Sequence, residues 1–338
     1  MIIVMSSDAA AADIAEVVAR IRAAGLAEHI SRGTERTLIG AIGDERTLDP
    51  ALFERMPGVE RALRVVREYR LVGREIHPES SIVNIRGQAI GGRALTIIAG
   101  PPAVENDAQI AAAAQAVRAA GCQLLHGGAF LHSDNPYGFQ GLGVDGLAKL
   151  GAAAAQAGLP SVSELADVRA IEAFLELDID ALAIGPRHMA NTDLLREVGR
   201  LNKPVILKRG PAATLVEWLM AAETIAAGGN HRIVLCECGI KSLEPGYRAL
   251  LDIGAIAALK AETHLPVIVE PAHATGKAWM TPSLAAAAIA AGADGLWLDV
   301  HPNPAEARSH AEQASTPAQL STLIETLRPL AAVMNRSL

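Results

Sequence analysis

Three basic residues directly follow two apolar runs in the middle of the chain: Arg187, Lys208 and Arg209. Guanidinium and ammonium groups held close together form a compact site for a phosphate or a carboxylate. Glu164 and Glu237 follow two further apolar runs, so the same cations could instead pair with these acids in a structural ion network. We expect the three cations to bind an anion.

Histidines and carboxylates gather in the last part of the chain. His273, Asp299 and His310 supply two imidazoles and one carboxylate, and Glu270 and His301 lie close by in sequence. This set is sufficient to hold Zn, Mn or Fe with positions open for substrate or water. The alternative is that each histidine is an ordinary hydrogen-bonded residue. A divalent metal at His273, Asp299 and His310 is therefore an expectation for the structure to test.

A long polar loop follows the apolar pair Leu124 and Leu125. Residues 126–143 read HGGAFLHSDNPYGFQGLG and show neither helical nor strand periodicity over most of their length. Loops of this length in compact domains commonly serve a function. We expect His126, His132 and Asp134 to act there as acid/base or binding groups.

Eight short apolar runs separated by Ala-rich helices must position these residues. Parallel strands that alternate with helices are typical of a (β/α)8 barrel. A turn or a polar residue follows each run, and catalytic residues of this fold lie at the C-terminal ends of the strands. The sequence therefore predicts an α/β protein, a (β/α)8 TIM barrel with one pocket at those ends. The predicted strands are Leu95–Ala99, Cys122–Leu125, Pro160–Val162, Ala181–Ile184, Val205–Leu207, Ile233–Leu235, Val267–Val269 and Gly295–Leu298.

The beginning of the chain indicates a separate small domain. Its predicted order is strand, helix, strand, strand, helix, strand, which is the ferredoxin-like β-α-β-β-α-β arrangement. A polar joint leads to Ile82–Ile90, whose alternation predicts a hairpin that could plug the bottom of the barrel. We expect a ferredoxin-like regulatory or oligomerisation domain at 1–70, a linker and β-hairpin at 71–94, and a catalytic barrel at 95–338.

Composition excludes several classes of partner. The 338 residues have a net charge of -7 and a pI near 5.8, without a long basic cluster, which argues against a nucleic-acid or anionic-membrane surface. Three cysteines without framework spacing argue against a disulfide-stapled secreted protein. The N-terminus lacks the basic segment of a signal peptide, and no apolar run reaches the roughly 20 residues of a membrane span. We expect a cytoplasmic protein whose partner is a small molecule.

Seven segments resemble one known family in their order and spacing. In sequence they match the 3-deoxy-D-arabino-heptulosonate 7-phosphate (DAHP) synthases, specifically the type I-beta subgroup with an N-terminal ferredoxin-like regulatory domain. The resemblance covers essentially the whole chain and includes HISRGTERTLIGAIGDER (29–46) in that domain. The segments are IIAGPPAVE (97–105), HGGAFLHSDNPYGFQGLG (126–143), IGPRHMAN (184–191), KPVILKRG (203–210), LCECGI (235–240), VEPAH (269–273) and LDVHPNP (298–304).

The resemblance implies a reaction and a set of roles. DAHP synthases join phosphoenolpyruvate to erythrose 4-phosphate: a divalent metal polarises the aldehyde, C3 of phosphoenolpyruvate attacks it, water attacks C2, and phosphate leaves. At positions that match the family, Glu164, Arg187, Lys208 and Arg209 would bind phosphoenolpyruvate, and His273 would bind the metal. The resemblance also implies a homo-oligomer, a tetramer, and an aromatic amino acid effector at the N-terminal domain.

The metal ligands of the family are altered in this sequence. The family's first barrel strand ends in GPCxxE, and its ligating cysteine is Pro102 here. The family's glutamate after the last strand is shortened to Asp299, and the aspartate of the next loop is His310. A related class of synthases works without metal after its cysteine is replaced by asparagine, so altered ligands are compatible with carbon-carbon chemistry.

Several substrate-binding cations of the family are also replaced. The family reads RGGxxKPRTxPxxFQG in the long loop; its first Arg and its Lys, which bind phosphoenolpyruvate, are His126 and Leu131 here. Its Arg-Thr pair, which binds the sugar phosphate, is Ser133 and Asp134, and the family's ERG is ECG at 237–239. Charged hydrogen bonds are worth about 1.5–3 kcal/mol each. The loss of four cations therefore predicts that two phosphates bind more weakly by several orders of magnitude.

These departures lead us to expect a diverged enzyme of the family, in specialised metabolism. It would perform aldolase- or lyase-type chemistry on a 2-oxo acid or an enol ether, with a less anionic partner. His126, His132, Asp134 and Glu237 would be its catalytic groups. Two alternatives are an ordinary DAHP synthase of the shikimate pathway and a non-catalytic regulatory pseudoenzyme.

Overall fold

The computed structural model describes residues 1–32, 37–42, 48–63, 68–131 and 135–338. The chain divides into two compact units, Met1–Glu68 and Tyr69–Leu338. The segment predicted as linker and hairpin, 71–94, belongs to the second unit.

The first unit has the predicted ferredoxin-like fold. Its four strands form one antiparallel sheet in the order β2-β3-β1-β4, so the first strand lies between the third and the fourth. Ile3, Val17, Ile39 and Phe53 are buried between the sheet and the helices. The elements are β1 (Ile2–Met5), α1 (Ala11–Ala23), β2 (Ala27–Arg32), β3 (Thr37–Ile42), α2 (Pro50–Glu54) and β4 (Val59–Leu63).

A hairpin of β5 (Val83–Ile85) and β6 (Gln88–Ile90) precedes the barrel. Its turn residues Arg86 and Gly87 both have positive φ angles, 43° and 88°, the combination that fits the twist of a two-residue hairpin. Val83, Ile85 and Ile90 pack in one buried cluster with inward-facing side chains of the barrel strands. The hairpin therefore fills the N-terminal end of the barrel, as predicted, and leaves the other end for a site.

The second unit is a closed barrel of eight parallel strands, as predicted, and the last strand pairs with the first. The strands are β7 (Thr96–Gly100), β8 (Leu124–His126), β9 (Ser161–Glu164), β10 (Ala181–Ile184), β11 (Val205–Lys208), β12 (Ile233–Glu237), β13 (Val267–Val269) and β14 (Gly295–Asp299). Helices surround them: α3 (Asp107–Ala119), α4 (Val144–Ala157), α5 (Ile171–Glu176), α6 (Thr192–Gly199), α7 (Leu215–Ala227), α8 (Ile253–Glu262), α9 (Pro271–Thr275), α10 (Thr281–Ala290) and α11 (Pro317–Val333).

Side chains alternate between the two faces of each barrel strand. In β11, Val205 and Leu207 pack against the helices, whereas Ile206 belongs to the cluster inside the barrel. This period of two follows from the pleat of a strand. It decides which of the polar residues at a strand end face the pocket.

Helix starts are set by polar caps. The Asn106 side chain accepts from the backbone N–H of Gln109 at 2.9 Å at the start of α3, and Thr214 accepts from that of Glu217 at 3.2 Å at the start of α7. These side chains satisfy backbone donors that have no partner inside the helix. Within the described ranges, no helix has the length and apolar character needed to cross a membrane.

Candidate active site

A cavity of about 860 Å³ opens at the C-terminal ends of the barrel strands. Residues from most strand ends and from the loops after β8, β12 and β14 line it. The sequence-predicted residues that it brings together are His126, Glu164, Arg187, Lys208, His273, Asp299 and His310.

Lys208 lies at the floor of this cavity. It follows the inward-facing Ile206 by two residues, so it points into the barrel, where its Nζ lies 2.8 Å from Glu270 Oε2 and 4.0 Å from the centre of the Trp297 ring. Burial alone would lower the pKa of Lys208, but the charges of Glu270 and Glu164 outweigh it and raise the pKa. Burial alone would raise the pKa of Glu270, but the charge of Lys208 outweighs it and lowers the pKa. The pair is therefore a buried ammonium and a buried carboxylate.

Glu164, at the end of β9, approaches the backbone of Gly185 very closely. A Cβ atom at position 185 would lie 1.9 Å from Glu164 Oε1, so only glycine leaves room for this carboxylate. Burial raises the pKa of Glu164, while the charges of Lys208 and Arg187 act in the opposite direction. Arg187 lies exposed at the mouth of the cavity. These residues offer both cations and hydrogen-bond acceptors to a bound anion.

His126, at the end of β8, is buried and neutral. Its Nε2 lies 3.0 Å from the carbonyl oxygen of Leu298, and its ring centre lies 4.5 Å from that of Trp297. Because Nε2 donates to this carbonyl, Nδ1 carries the free lone pair. Burial lowers the pKa of His126 to about 3. At neutral pH the residue therefore contributes an acceptor where the family resemblance implies an arginine.

Asp299, at the end of β14, is a buried acid with an unusual pKa. Gln313 Nε2 donates to its Oδ2 at 2.5 Å, and His126 Nε2 lies 3.4 Å from its Oδ1. Burial and then the charge of Glu270 raise the pKa of Asp299 to about 7, against the opposing charge of Lys208. A carboxyl group that titrates near neutral pH can hold and release a proton during a reaction.

The metal ligands predicted from the sequence do not form a metal centre. His273 and His310 line the cavity together with Asp299, but among the residues described, no three His, Cys, Asp or Glu side chains could hold an ion. Burial lowers the pKa of His273 to about 4, and His310 Nδ1 lies 2.6 Å from the hydroxyl of Ser309. Pro102 lines the same cavity at the position of the family's cysteine. This donor set does not fit a divalent metal, although enzymes of the family are generally metal-dependent.

Arg209 and Glu237 lie outside the cavity lining, and the substrate-binding and catalytic roles expected for them remain predictions. Arg209 is one residue beyond Lys208, so the strand alternation turns it to the outer face of the barrel. There its Nη1 lies 2.9 Å from Glu237 Oε2 and 3.0 Å from Asp252 Oδ2, and its Cζ lies 5.9 Å from the centre of the Trp218 ring. The structural ion network was the alternative for this residue, and it is what the structure has.

The long loop after β8 is described on either side of residues 132–134. Leu131 donates its backbone N–H to Gln140 at 2.9 Å, and Leu131, Asn135 and Phe139 line the cavity. His132 and Asp134 lie outside the described residues, so the catalytic roles expected for them remain predictions.

Three cations that the sequence reasoning did not select also line the cavity: Lys241, Arg248 and Arg308. Lys241 and Arg248 lie on the loop after β12, which two backbone hydrogen bonds between Ile240 and Leu250, of 2.9 and 2.8 Å, pinch together. Arg308 lies on the loop after β14, and all three side chains are exposed at the mouth. The available signal was their position, because the loops that follow barrel strands surround the site of this fold.

Comparison with known proteins identifies one family over nearly the whole chain. The profile described as the DAHP synthetase I family matches residues 77–335, and the DAHP synthase ferredoxin-like domain matches residues 1–67. The phospho-2-dehydro-3-deoxyheptonate aldolase of Thermotoga maritima is 39% identical over 331 residues, 98% of each chain. The 2-dehydro-3-deoxyphosphooctonate aldolase of Syntrophotalea carbinolica is 32% identical over 233 residues, 63% of this chain and 82% of its own.

Solved structures agree with the sequence comparisons. The crystal structure of the Thermotoga maritima phospho-2-dehydro-3-deoxyheptonate aldolase (DAHP synthase) has a TM-score of 0.79 and 38% identity, and it covers 99% of this chain and 98% of that one. A truncated form of 3-deoxy-D-arabino-heptulosonate 7-phosphate synthase from the same organism has a TM-score of 0.74 and 36% identity, over 79% of this chain and 98% of that one. The chain belongs to the DAHP synthetase I family and carries its ferredoxin-like domain at the N-terminus.

Proposed function

We propose that the barrel is a DAHP synthase that condenses phosphoenolpyruvate with erythrose 4-phosphate. The observation that carries the proposal is Lys208, a buried cation that the charges of Glu270 and Glu164 keep protonated at the floor of the cavity. The relative from Thermotoga maritima, 39% identical over 98% of the chain, bears the name of that activity. The comparisons support this alternative better than the diverged enzyme that we expected from the sequence.

The charge around the mouth supports an anionic acceptor. The expectation of a less anionic partner rested on four cations that the sequence lacks. Lys241, Arg248 and Arg308 supply three other cations around the same cavity. Positive charges grouped at the mouth of a cleft concentrate anionic ligands near it. Two phosphorylated substrates are therefore compatible with this pocket.

The described side chains can perform the steps of the condensation. Lys208 and Arg187 would bind the carboxylate and phosphate of phosphoenolpyruvate. C3 of this substrate attacks the aldehyde carbon, and Asp299, with its pKa of about 7, would give a proton to the aldehyde oxygen. Water then adds at C2, Glu270 would accept its proton, and phosphate leaves. These assignments use only residues that line the cavity.

A second candidate acceptor is an aldehyde without a phosphate group. Leu131 lines the mouth where the family resemblance implies a lysine, and His126 is neutral where it implies an arginine. An apolar wall favours a less anionic ligand, because a buried charge without a partner is costly. This candidate retains the same chemistry at the floor of the cavity, C3 addition to a carbonyl, and changes only the acceptor.

Turnover with purified full-length protein separates these candidates. Phosphate release and a new carbon-carbon bond should appear with phosphoenolpyruvate and erythrose 4-phosphate, and Lys208→Met should abolish both. Turnover with erythrose but not with erythrose 4-phosphate would favour the second candidate. No turnover with either acceptor would reject the proposal and leave the pseudoenzyme.

We also propose that the ferredoxin-like domain binds an aromatic amino acid and that the protein forms a homotetramer. The family's domain at residues 1–67 supports a regulatory role. Tyrosine or phenylalanine should raise the melting temperature of the full chain and lower its turnover, and light scattering should give four times the mass of one chain. A mass of one chain, or no response to either amino acid, would contradict the respective proposal.

A further inference from the structure

We propose that Arg248 and Arg308 form an anion subsite at the mouth of the cavity, which binds the phosphate of the acceptor. The inference rests on the proposed function and names residues that recognise its second substrate. In the family that this sequence resembles, the loop that matches residues 126–143 binds the sugar phosphate. Here the subsite is supplied by the loops after β12 and β14.

Arg308 is held in place while its N–H groups stay available. Its backbone N–H donates to Glu105 Oε1 at 2.8 Å, and its Cζ lies 3.7 Å from the centre of the Phe139 ring. The N–H donors of a guanidinium lie in its plane, so packing of one flat face on an aromatic ring leaves them directed sideways. In the ranges that the structure describes, no carboxylate forms an ion pair with this guanidinium. Its charge is therefore available to a ligand.

Arg248 is anchored through one nitrogen only. Its Nη1 donates to the carbonyl oxygen of His273 at 3.1 Å and to Gln313 Oε1 at 2.8 Å. Its guanidinium packs over Gly276, where a Cβ would lie 3.2 Å from Nη2. Since Gln313 also donates to Asp299 at 2.5 Å, these contacts hold Arg248 against the cavity wall. Its Nε and Nη2 have no hydrogen-bond partner in the part of the chain described.

The two arginines line the same cavity, and His310 connects them. His310 lies two residues beyond Arg308 and lines the same cavity. Burial and then the positive charge of Arg248 lower the pKa of His310, so Arg248 lies near this part of the loop after β14. Two guanidinium groups that line one cavity can bind a phosphate dianion through several charged hydrogen bonds. Lys241, on the same pinched loop as Arg248, adds a third positive charge. The ligand class that fits this arrangement is a phosphate monoester.

Calorimetric titration of the full chain tests the subsite directly. The probes are erythrose 4-phosphate, erythrose and inorganic phosphate, and the proteins are the wild type, Arg248→Gln and Arg308→Gln. Each substitution should weaken erythrose 4-phosphate binding by about ten- to a hundredfold, the equivalent of one charged hydrogen bond, and leave erythrose binding unchanged. Arg118→Gln, an exposed arginine on α3 away from the cavity, should leave all affinities unchanged. Circular dichroism and melting curves confirm that each variant is folded.

The outcomes distinguish this inference from the proposed function. Loss of erythrose 4-phosphate affinity in both variants supports the subsite even if the wild type shows no turnover. If turnover occurs, each variant should raise KM for erythrose 4-phosphate without a comparable change in KM for phosphoenolpyruvate. Unchanged affinity of the folded variants for erythrose 4-phosphate overturns the subsite. Equal losses for inorganic phosphate and erythrose 4-phosphate support recognition of the phosphate group itself, whereas an equal loss for erythrose contradicts it.

Discussion

His126 and Asp299 should make the stability of the barrel depend on pH in opposite directions. The pKa of His126 is about 3 in the folded barrel, against an ordinary value of 6.5, so the unfolded chain takes up a proton that the folded barrel does not. Its stabilising contribution is complete above pH 6.5 and is lost as the pH falls towards 3. The pKa of Asp299 is about 7, against 3.8, so its proton is lost from the folded barrel at higher pH than from the unfolded chain. Its contribution is lost as the pH rises from 3.8 towards 7.

The magnitude follows from one proton per group. Between about pH 4.5 and 6, each group changes the slope of the unfolding free energy by about 1.4 kcal/mol per pH unit. His126→Asn should make the slope against pH less positive by this amount, and Asp299→Asn should make it more positive by the same amount. Over the whole titration, the contributions amount to about 5 kcal/mol for His126 and about 4 kcal/mol for Asp299. His273, with a pKa of about 4, adds to the slope in the same sense as His126.

Urea unfolding followed by tryptophan fluorescence measures these slopes. The three tryptophans, Trp218, Trp279 and Trp297, all lie in the barrel unit, so their emission reports its unfolding. His231→Asn is the matched control, because it makes the same exchange of side chains at an exposed position of the barrel. A slope for His126→Asn equal to that of the wild type would refute the argument that burial keeps this imidazole neutral. A shift of the same sign in both variants would refute the opposing roles.

Three further changes test the description of the site. Gly185→Ala would push Glu164 aside, so KM for phosphoenolpyruvate should rise by about tenfold or more while the free energy of unfolding falls by about 1–3 kcal/mol. The control is Gly151→Ala in α4, where the added Cβ would make only ordinary van der Waals contacts. An unchanged KM in Gly185→Ala would contradict the contact between Glu164 and Gly185. Arg209→Met would leave Glu237 buried without its cation and should lower the free energy of unfolding in urea by about 3–5 kcal/mol. KM for phosphoenolpyruvate and KM for erythrose 4-phosphate should both stay unchanged. A rise in either KM would support Arg209 as a substrate ligand. Because the donor set does not fit a metal, turnover should be unchanged after dialysis against EDTA, and activity that disappears and returns with Mn would reject this conclusion.

The sequence was sufficient for the architecture because barrel strands repeat a simple pattern. Each buried strand is a short apolar run followed by a polar residue, so all eight strands could be predicted, with ends displaced by at most two residues from those observed. The floor of the site followed from the same pattern, since Lys208 and Asp299 are the last residues of β11 and β14. The position of Arg209 did not follow from residue type, because Lys208 and Arg209 were grouped as one cluster although adjacent side chains of a strand point to opposite faces.

The rest of the site depends on contacts between distant segments, which residue types alone do not reveal. Trp297 under Lys208 and Gln313 on Asp299 are an aromatic and an amide without a chemical signature in the sequence. The metal prediction grouped residues of suitable type, but convergence on a single ion is a property of three-dimensional geometry. The count of lost cations considered only the positions at which the family carries them, whereas three cations from other positions line the same cavity.

Floor and mouth of this pocket obey different physical constraints. At the floor, Lys208 and Glu270 are buried together, so removal of either charge leaves the other without compensation, and substitution there is strongly disfavoured. At the mouth, Arg248 and Arg308 are exposed, and water screens an unpaired charge at little cost in stability. Cations can therefore move from one loop to another during evolution while the buried pair stays fixed. A pocket that lacks the loop cations of its family can in this way keep its affinity for phosphorylated substrates. The loss of erythrose 4-phosphate affinity in the Arg248 and Arg308 variants measures how much of that affinity these two residues supply.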